Sequence, residues 1–432
     1  MPAITGLAIA PMGKQVTHVL ASKVETPVAG GSSPGPVIEV RGWCLGKGRA
    51  IHAVQAVADG RVLAQSPVAI PTPALAERFG AAGDFAATAG FAFEVDTLGL
   101  EPAFDIRLRA IIDGAPVARI AAIRGARRPI RPGYDPRLQA LLLTSIGRTG
   151  STLLMRMLAA HPGIVAYRAH PYETRAAKYW LHLLKTLSRP ADPGKRIGSP
   201  NEFHLDPIAA GIPLLAAADA DYPAAADWAR TAYLDDLGSF ALHSIDEWYG
   251  RIAAAQQQEA PRFWVEKTFP DEYAGLAREL YPAGKELILV RDFRDMWTSM
   301  KAYNERKGFG DFGRERAGSD EQWLYDVRAG AIQLVEATRK RGGAARVVRY
   351  EHLVSEPEAA LAGVLDYLGL DASQASVDAM IAAGAVDIAD HRTAESPAAS
   401  IGRWQRDLTG AEQTLANAAF EDVLAAFGYG TG

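Results

Sequence analysis

The order of apolar and polar residues divides the chain into two parts. In the first part, up to about Arg127, short runs alternate between apolar and polar side chains with a period of two, which is typical of β-strands. These runs are residues 36–46, 51–70, 90–98 and 104–120. Asp59-Gly60 and Asp113-Gly114 separate strand-like stretches, where Asp-Gly pairs favour hairpin turns. We therefore predict a small antiparallel β-sandwich over residues 1–130, a binding or packing module without a catalytic cluster in its sequence.

In the second part, strand-like runs alternate with longer helical stretches. Residues 124–136, rich in Arg, Pro and Gly, are expected to form the linker that precedes it. Continuous apolar runs, typical of buried strands, are residues 138–145, 285–290 and 345–350. Apolar residues recur with helical spacing in residues 151–161 and 356–370. This alternation predicts an α/β domain over residues 135–432, a mostly parallel sheet with helices on both faces.

Composition narrows the possible functions. The chain has 432 residues and a net charge of −4, which does not indicate nucleic acid as a partner. Its single cysteine, Cys44, rules out a disulfide framework or a multi-cysteine metal site. No segment reaches the ~20 apolar residues of a membrane span, and the N-terminus lacks the features of a signal peptide. We therefore expect a cytoplasmic protein without a transmembrane segment.

The segment LLLTSIGRTGSTLLMRMLAAHP, residues 141–162, places a glycine-containing loop between a predicted strand and a predicted helix. The free N–H groups and the dipole of a helix N-terminus attract anions. Glycines allow close approach of the backbone, and Arg148 adds a fixed positive charge. The loop matches neither the Walker A pattern nor G-x-G-x-x-G. It therefore predicts a site for phosphate or a similar oxyanion.

This loop resembles the 5′-phosphosulfate-binding loop of sulfotransferases that use 3′-phosphoadenylyl sulfate (PAPS). The resemblance assigns donor binding to the residues of the loop, which are Gly147, Arg148, Thr149, Gly150, Ser151 and Thr152. It also implies that Arg148 contacts the 5′ end of the donor and neutralises charge on the bridging oxygen, a catalytic role. Such a reaction requires no metal.

Two further segments resemble the family's elements for the 3′-phosphate. Arg291 directly follows a predicted strand, and Ser299 lies about two helical turns later, as in the family. Near the C-terminus, a Ser-x-Gly-Arg-Trp segment is similar to one that covers the nucleotide in bacterial sulfotransferases. It assigns donor contacts to Ser400, Gly402 and Arg403, whereas Trp404 is expected to pack.

Sulfuryl transfer also needs a base that takes the proton from the acceptor hydroxyl or amine, and the sequence offers three candidates for it. Glu173 resembles the base of tyrosylprotein sulfotransferases, in a Glu-Thr-Arg sequence. Glu266 resembles the base of heparan-type sulfotransferases, with Lys267 as its assistant. His170 is the third candidate, because cytosolic sulfotransferases use a histidine. The sequence does not choose between Glu173 and Glu266.

The resemblance implies a PAPS-dependent sulfotransferase that acts on a hydroxyl or amine. By analogy with bacterial enzymes that carry appended β-modules, the expected acceptor is a glycan or glycolipid. A protein or a small alcohol is the alternative acceptor, and a nucleotide kinase or a non-catalytic nucleotide-binding protein is the alternative function. The prediction depends on Arg148 and Arg291 facing one cleft, where two separate sites would hold the two ends of one adenosine bisphosphate.

Overall fold

The computed structural model describes residues 3–11, 18–79, 86–189, 222–385 and 393–430. These residues form two compact units. The first comprises Met1–Asp135 and Tyr179–Leu242, and the second comprises Pro136–Lys178 and His243–Gly432. No helix in these described ranges is both long enough and apolar enough to cross a membrane.

The first unit contains an antiparallel β-sandwich. Its strands are β1 (Ile4–Pro11), β2 (Val19–Thr26), β3 (Val37–Gly46), β4 (Ile51–Ala58), β5 (Arg61–Pro67), β6 (Gly90–Asp96), β7 (Ala103–Ile112) and β8 (Ala118–Arg127). One sheet has the order β1-β8-β7-β4-β5 and the other the order β2-β3-β6. Val40 and Val95 of the smaller sheet share one apolar core with Val54 and Ile106 of the larger sheet. The predicted sandwich is therefore confirmed.

The turns and the end of the sandwich follow from local chemistry. Asp59 and Gly60 both have positive φ, 55° and 73°, in the hairpin between β4 and β5, as the Asp-Gly pair predicts. The expectation that a linker starts at residue 124 is wrong, because β8 continues to Arg127. Arg124 lies opposite Asp105 of β7 and forms an ion pair with it at 3.1 Å. Pairing with both β1 and β7 keeps this Arg- and Gly-containing stretch in the sheet.

The described residues form thirteen α-helices. They are α1 (Pro73–Phe79), α2 (Ser151–Ala159), α3 (Ala176–Leu187), α4 (Pro223–Thr231), α5 (Tyr233–Ala255), α6 (Glu272–Leu280), α7 (Phe293–Lys307), α8 (Asp320–Arg341), α9 (Tyr350–Ser355), α10 (Pro357–Leu368), α11 (Gln374–Ala385), α12 (Trp404–Asp407) and α13 (Gly410–Ala426). In the first unit, Lys185 of α3 forms a buried ion pair with Asp96 at the end of β6, at 2.8 Å. Helical residues thus belong to the same compact unit as the sandwich.

The second unit contains a five-stranded parallel sheet with the order β10-β11-β9-β12-β13. Its strands are β9 (Gln139–Thr144), β10 (Ile164–Val165), β11 (Phe263–Thr268), β12 (Lys285–Val290) and β13 (Arg346–Arg349). Leu287 and Leu289 pack into one apolar cluster, whereas Ile288 and Val290 pack into another. Alternate residues of β12 therefore face opposite layers of helices, as the predicted α/β architecture requires.

The sheet order determines which segments meet at its carboxyl edge. β9 lies between β11 and β12, so the loop after β9 is flanked by the ends of both neighbours. Lys267 is near the end of β11, and Arg291 follows β12. Residues far apart in the sequence thus converge beside the N-terminus of α2, in the position where α/β sheets bind ligands.

Candidate functional site

The loop from residue 145 to residue 150 joins β9 to α2 through a strained, tightly packed backbone. Arg148 has a φ of 62° and Gly150 a φ of 91°. A Cβ atom on Gly150 would lie 2.3 Å from the ring of Tyr350, so only glycine fits there. No side chain caps the α2 N-terminus at Gly150. Thr149 is buried and its hydroxyl donates to the carbonyl of Ile146 at 2.9 Å, which stabilises the loop from within.

The N-terminus of α2 opens into a cavity of about 500 Å³. Its lining includes the three arginines Arg148, Arg156 and Arg291 and six hydroxyl side chains from Ser and Thr. Those hydroxyls belong to Ser151, Thr152, Ser299, Thr393, Ser396 and Ser400. None of the described residues that line the cavity is acidic. Cations, hydroxyls and a helix N-terminus around one cavity are suited to bind an anion with several oxygens.

Arg291 connects the loop to the segment 393–400. Its Nη1 donates to the carbonyl oxygen of Arg148 at 3.1 Å, and its Nη2 donates to that of Ser400 at 2.6 Å. The guanidinium lies 4.6 Å from the ring centre of Tyr350 and is only 4% exposed. Its Nε has no hydrogen-bond partner among the described residues. A buried donor without a protein partner is costly, and an anion in the cavity would satisfy it.

Arg148 shares this cavity with Arg291. Its Nε donates to the hydroxyl of Ser299 at 3.2 Å, and its guanidinium lies 5.0 Å from the ring centre of Tyr303. Its Nη2 lies 3.4 Å from the hydroxyl oxygen of Thr393. Burial and then the charge of Arg291 lower the pKa of Arg148 to about 10. The structure thus brings Arg148, Arg291 and Ser299 together, in one continuous cavity rather than in two separate pockets.

Of the three residues of the Ser-x-Gly-Arg-Trp sequence that were predicted to contact the donor, Ser400 lines the cavity, and its hydroxyl lies 3.0 Å from the Tyr350 hydroxyl. Gly402 and Arg403 do not line it. The Gly402 N–H donates to Asp295 Oδ2 at 2.7 Å, and burial raises the pKa of Asp295 to about 6. Arg403 forms an ion pair with Asp407 and donates to the carbonyl of Thr393 at 2.8 Å. These two residues therefore hold the segment in place.

Glu173 and Lys267 form an ion pair beside the α2 N-terminus. Lys267 Nζ lies 2.8 Å from Glu173 Oε1 and donates to the hydroxyl of Thr152, a cavity residue, at 2.8 Å. Arg175 donates to the other Glu173 oxygen at 3.1 Å. Burial alone would raise the pKa of Glu173, but Lys267 and Arg175 outweigh it and lower the pKa. Burial lowers the pKa of Lys267. A carboxylate and an amine are thus coupled to the cavity wall.

Glu266 lies on the opposite face of β11 from Lys267, since alternate strand residues point to opposite faces. Its Oε1 accepts from the Tyr249 hydroxyl at 2.5 Å and from the N–H of Ala177, in the first turn of α3, at 2.8 Å. Burial raises the pKa of Glu266, although these hydrogen bonds act in the other direction. Neither Glu266 nor His170 lines the cavity. Glu173 does not line the cavity either, but Lys267 hydrogen-bonds to both its carboxylate and the hydroxyl of the lining residue Thr152.

Four residues that shape the site were not assigned a role in it from the sequence. Arg156, Tyr350 and Thr393 line the cavity, and Tyr303 supports Arg148. Arg156 had one local signal, as a single charged residue within the apolar helix pattern STLLMRMLAAH. The contacts of Thr393 and Tyr303 with Arg148 join residues more than 100 positions apart, and no local pattern indicates them.

A search of curated protein sequences gives no significant match. The sulfotransferase domain of the Synechococcus PCC 7002 olefin synthase is 18% identical, covers 70% of this chain and 99% of its own, and has a TM-score of 0.41. The sulfotransferase domain from the curacin biosynthetic pathway is 16% identical, with coverages of 69% and 99% and a TM-score of 0.35. Mouse sulfotransferase SULT7A1, complexed with PAP, is 12% identical, with coverages of 67% and 85% and a TM-score of 0.35.

The family comparison covers the loop, the sheet and most of the cavity. The sequence model of the sulfotransferase family matches residues 141–374, which is more than half of the chain. That match begins in β9 and includes Arg148, Glu173, Lys267, Arg291 and Ser299. The chain therefore belongs to the sulfotransferase family.

Proposed function

We propose that this sulfotransferase takes its sulfuryl group from PAPS and transfers it to a hydroxyl or amine of a glycan or glycolipid. The observation that carries the donor assignment is the cavity at the α2 N-terminus. It combines Arg148 and Arg291 with six hydroxyls, and its described lining contains no acidic residue. A nucleotide with phosphates at both ends of the ribose matches this distribution of positive charge and donors.

The proposed donor contacts follow the geometry of the loop. The N–H groups at the start of α2, with Ser151 and Thr152, would bind the phosphosulfate end. Arg291 and Ser299, with Ser400, would bind the 3′-phosphate. Gly147 and Thr149 would act by shaping the loop, and Gly402 and Arg403 by holding the segment 393–400.

Sulfuryl transfer requires a base that takes a proton from the acceptor and a cation near the phosphate that leaves. In the transfer, the bond between sulfur and the bridging oxygen breaks, and a bond forms between sulfur and the acceptor oxygen or nitrogen. We propose that Glu173 is the base that removes the proton from the hydroxyl or amine that receives the sulfuryl group. Its carboxylate is connected to Thr152 at the cavity wall through Lys267, which hydrogen-bonds to both residues. Lys267 and Arg148 would neutralise the charge that develops on the leaving phosphate. The hydrogen bonds of Glu266 with the Tyr249 hydroxyl and the Ala177 N–H at the start of α3 support Glu173 rather than Glu266 in this role.

The acceptor assignment rests on the domain organisation. We propose that residues 1–130 form a module that recognises the acceptor, and that residues 135–432 form the sulfotransferase domain. A protein or a small alcohol is the alternative acceptor. The cytoplasmic location stays a prediction from the sequence.

A thermal-shift screen tests the donor. Purified protein is heated with adenosine 3′,5′-bisphosphate (PAP), with ADP, and with ATP plus Mg²⁺. A Tm increase of several degrees with PAP, independent of Mg²⁺, is expected, because a ligand at 100 times its Kd stabilises by about 2.7 kcal/mol. A larger response to ATP with Mg²⁺ would instead support a kinase, and equal weak responses to all three would contradict a nucleotide donor. Incubation of radiolabelled PAPS with glycan, glycolipid, peptide and alcohol acceptors then identifies the acceptor class.

A further inference from the structure

Arg156 is the third arginine of the cavity, and the motifs of the site do not explain it. It lies in α2, four residues after Thr152, which places it about 6 Å further along the helix. Leu153 precedes it by three residues and therefore lies on the same face. Arg156 is 8% exposed, and both residues line the cavity. The cavity thus continues along α2, away from the loop that binds the anion.

The guanidinium of Arg156 is held by the end of α11. Its Nη2 donates to the carbonyl oxygens of Ala383 and Gly384 at 2.7 and 2.8 Å, and its Nε donates to that of Ala383 at 3.2 Å. The last carbonyls of a helix carry partial negative charge and attract a cation. These bonds engage the edge that carries Nε and Nη2, so the orientation of the planar group is fixed before a ligand binds.

The neighbours of Arg156 give this end of the cavity a different chemistry. Leu153, Gly384 and Ala385 line it, and the last two have no side chain beyond Cβ. The hydroxyls and the other two arginines belong to the loop 145–150, to the first two residues of α2, to the turn after β12, to α7 and to the segment 393–400. A wall of small residues, an apolar leucine and a planar cation suits a flat, uncharged, aromatic group.

We propose that Arg156 stacks its guanidinium on the nucleobase of the donor and makes the cavity selective for a purine. This inference rests on the proposed function, since it needs a nucleoside bisphosphate in the cavity. A guanidinium attracts an aromatic face electrostatically, and the larger ring system of a purine offers more area to it than a pyrimidine does. Arg156 is therefore a residue of donor recognition, in addition to its contact with α11.

The test compares two ligands that differ only in the base. Isothermal titration measures the Kd of PAP and of cytidine 3′,5′-bisphosphate for the wild type, Arg156→Lys and Arg156→Met. The wild type should prefer PAP by about tenfold, and either substitution should weaken PAP binding by about tenfold and cytidine bisphosphate binding much less. Arg156→Lys keeps the charge and a donor for the α11 carbonyls but lacks the planar face. It therefore tests stacking even where Arg156→Met fails to fold.

Arg262→Lys is the matched control. Arg262 also donates to a carbonyl at a helix C-terminus, that of Gly369 after α10, but it does not line the cavity. Its substitution should leave both Kd values unchanged. Equal weakening of both ligands in the Arg156 variants would show a purely structural contact and overturn the inference, as would unchanged PAP binding or a wild type without base preference. A wild type that binds neither ligand would instead overturn the proposed donor itself.

Discussion

Replacing Arg291 with methionine removes the cation that joins the loop to the segment 393–400 while keeping an unbranched side chain of similar length. Arg291 donates through Nη1 and Nη2 to two backbone carbonyls, and its buried Nε has no partner among the described residues. Burial raises the pKa of Asp295 and the charge of Arg291 lowers it, but among the described residues Arg291 donates its hydrogen bonds to carbonyls and not to this carboxylate. We therefore expect its main contribution to be the binding of a phosphate.

The size of the effect follows from this geometry. A hydrogen bond between a charged donor and a phosphate contributes about 1.5–3 kcal/mol, and loss of the nearby charge places Arg291→Met at the upper end. A loss of about 3 kcal/mol weakens PAP binding roughly 150-fold. At a PAP concentration 100 times the wild-type Kd, ligand stabilisation would then fall from about 2.7 to about 0.3 kcal/mol.

Thermal unfolding with and without PAP measures this difference within each variant, so any change in the stability of the ligand-free protein cancels. Arg349→Met is the matched control. Arg349 also donates to a carbonyl, that of Phe427, and lies 4.2 Å from the ring centre of Tyr429, but it is not part of the cavity. Its PAP-induced Tm increase should equal that of the wild type. If Arg291→Met keeps the full increase, the assignment of Arg291 to a phosphate is wrong.

The two glutamates and Lys267 give further tests. Glu173→Gln should reduce turnover of PAPS by at least about 100-fold without changing PAP affinity, whereas an unaltered kcat would exclude Glu173 as the base. Glu266→Gln should lower the free energy of unfolding by about 1–3 kcal/mol, because it disturbs the buried hydrogen bonds to Tyr249 and Ala177, and the folded fraction should turn over normally. Lys267→Met removes the main partner that lowers the pKa of Glu173, so that pKa should rise and the acid limb of the kcat–pH profile should move to higher pH. An acid limb that stays in place would show that another group titrates.

The sequence was sufficient for the parts of the site that are local. β9, the loop and α2 follow from an apolar run, two glycines and helical spacing, and Arg291 and Ser299 are placed by one strand and one helix. The sequence also contains the reason why Glu266 and Lys267 do not act as a base and its assistant in one cavity, since adjacent residues of a strand point to opposite faces of a sheet.

The remaining features depend on contacts between distant segments. The position of the Arg148 side chain depends on Ser299, Tyr303 and Thr393, and the order of those segments in space is a property of the folded sheet. The contact of Arg156 with the end of α11 likewise spans more than 220 positions. Residues 124–127, with their Arg and Gly, were predicted as linker because local composition does not reveal that β8 pairs on both sides.

A crystal structure of the protein grown with PAP tests the central claim most directly. We predict electron density for the nucleotide in the cavity at the α2 N-terminus, with one phosphate at Ser151 and Thr152, the other at Arg291 and Ser299, and the adenine beside Arg156. Nucleotide bound elsewhere on the chain, or a cavity that remains empty at saturating PAP, would contradict the account.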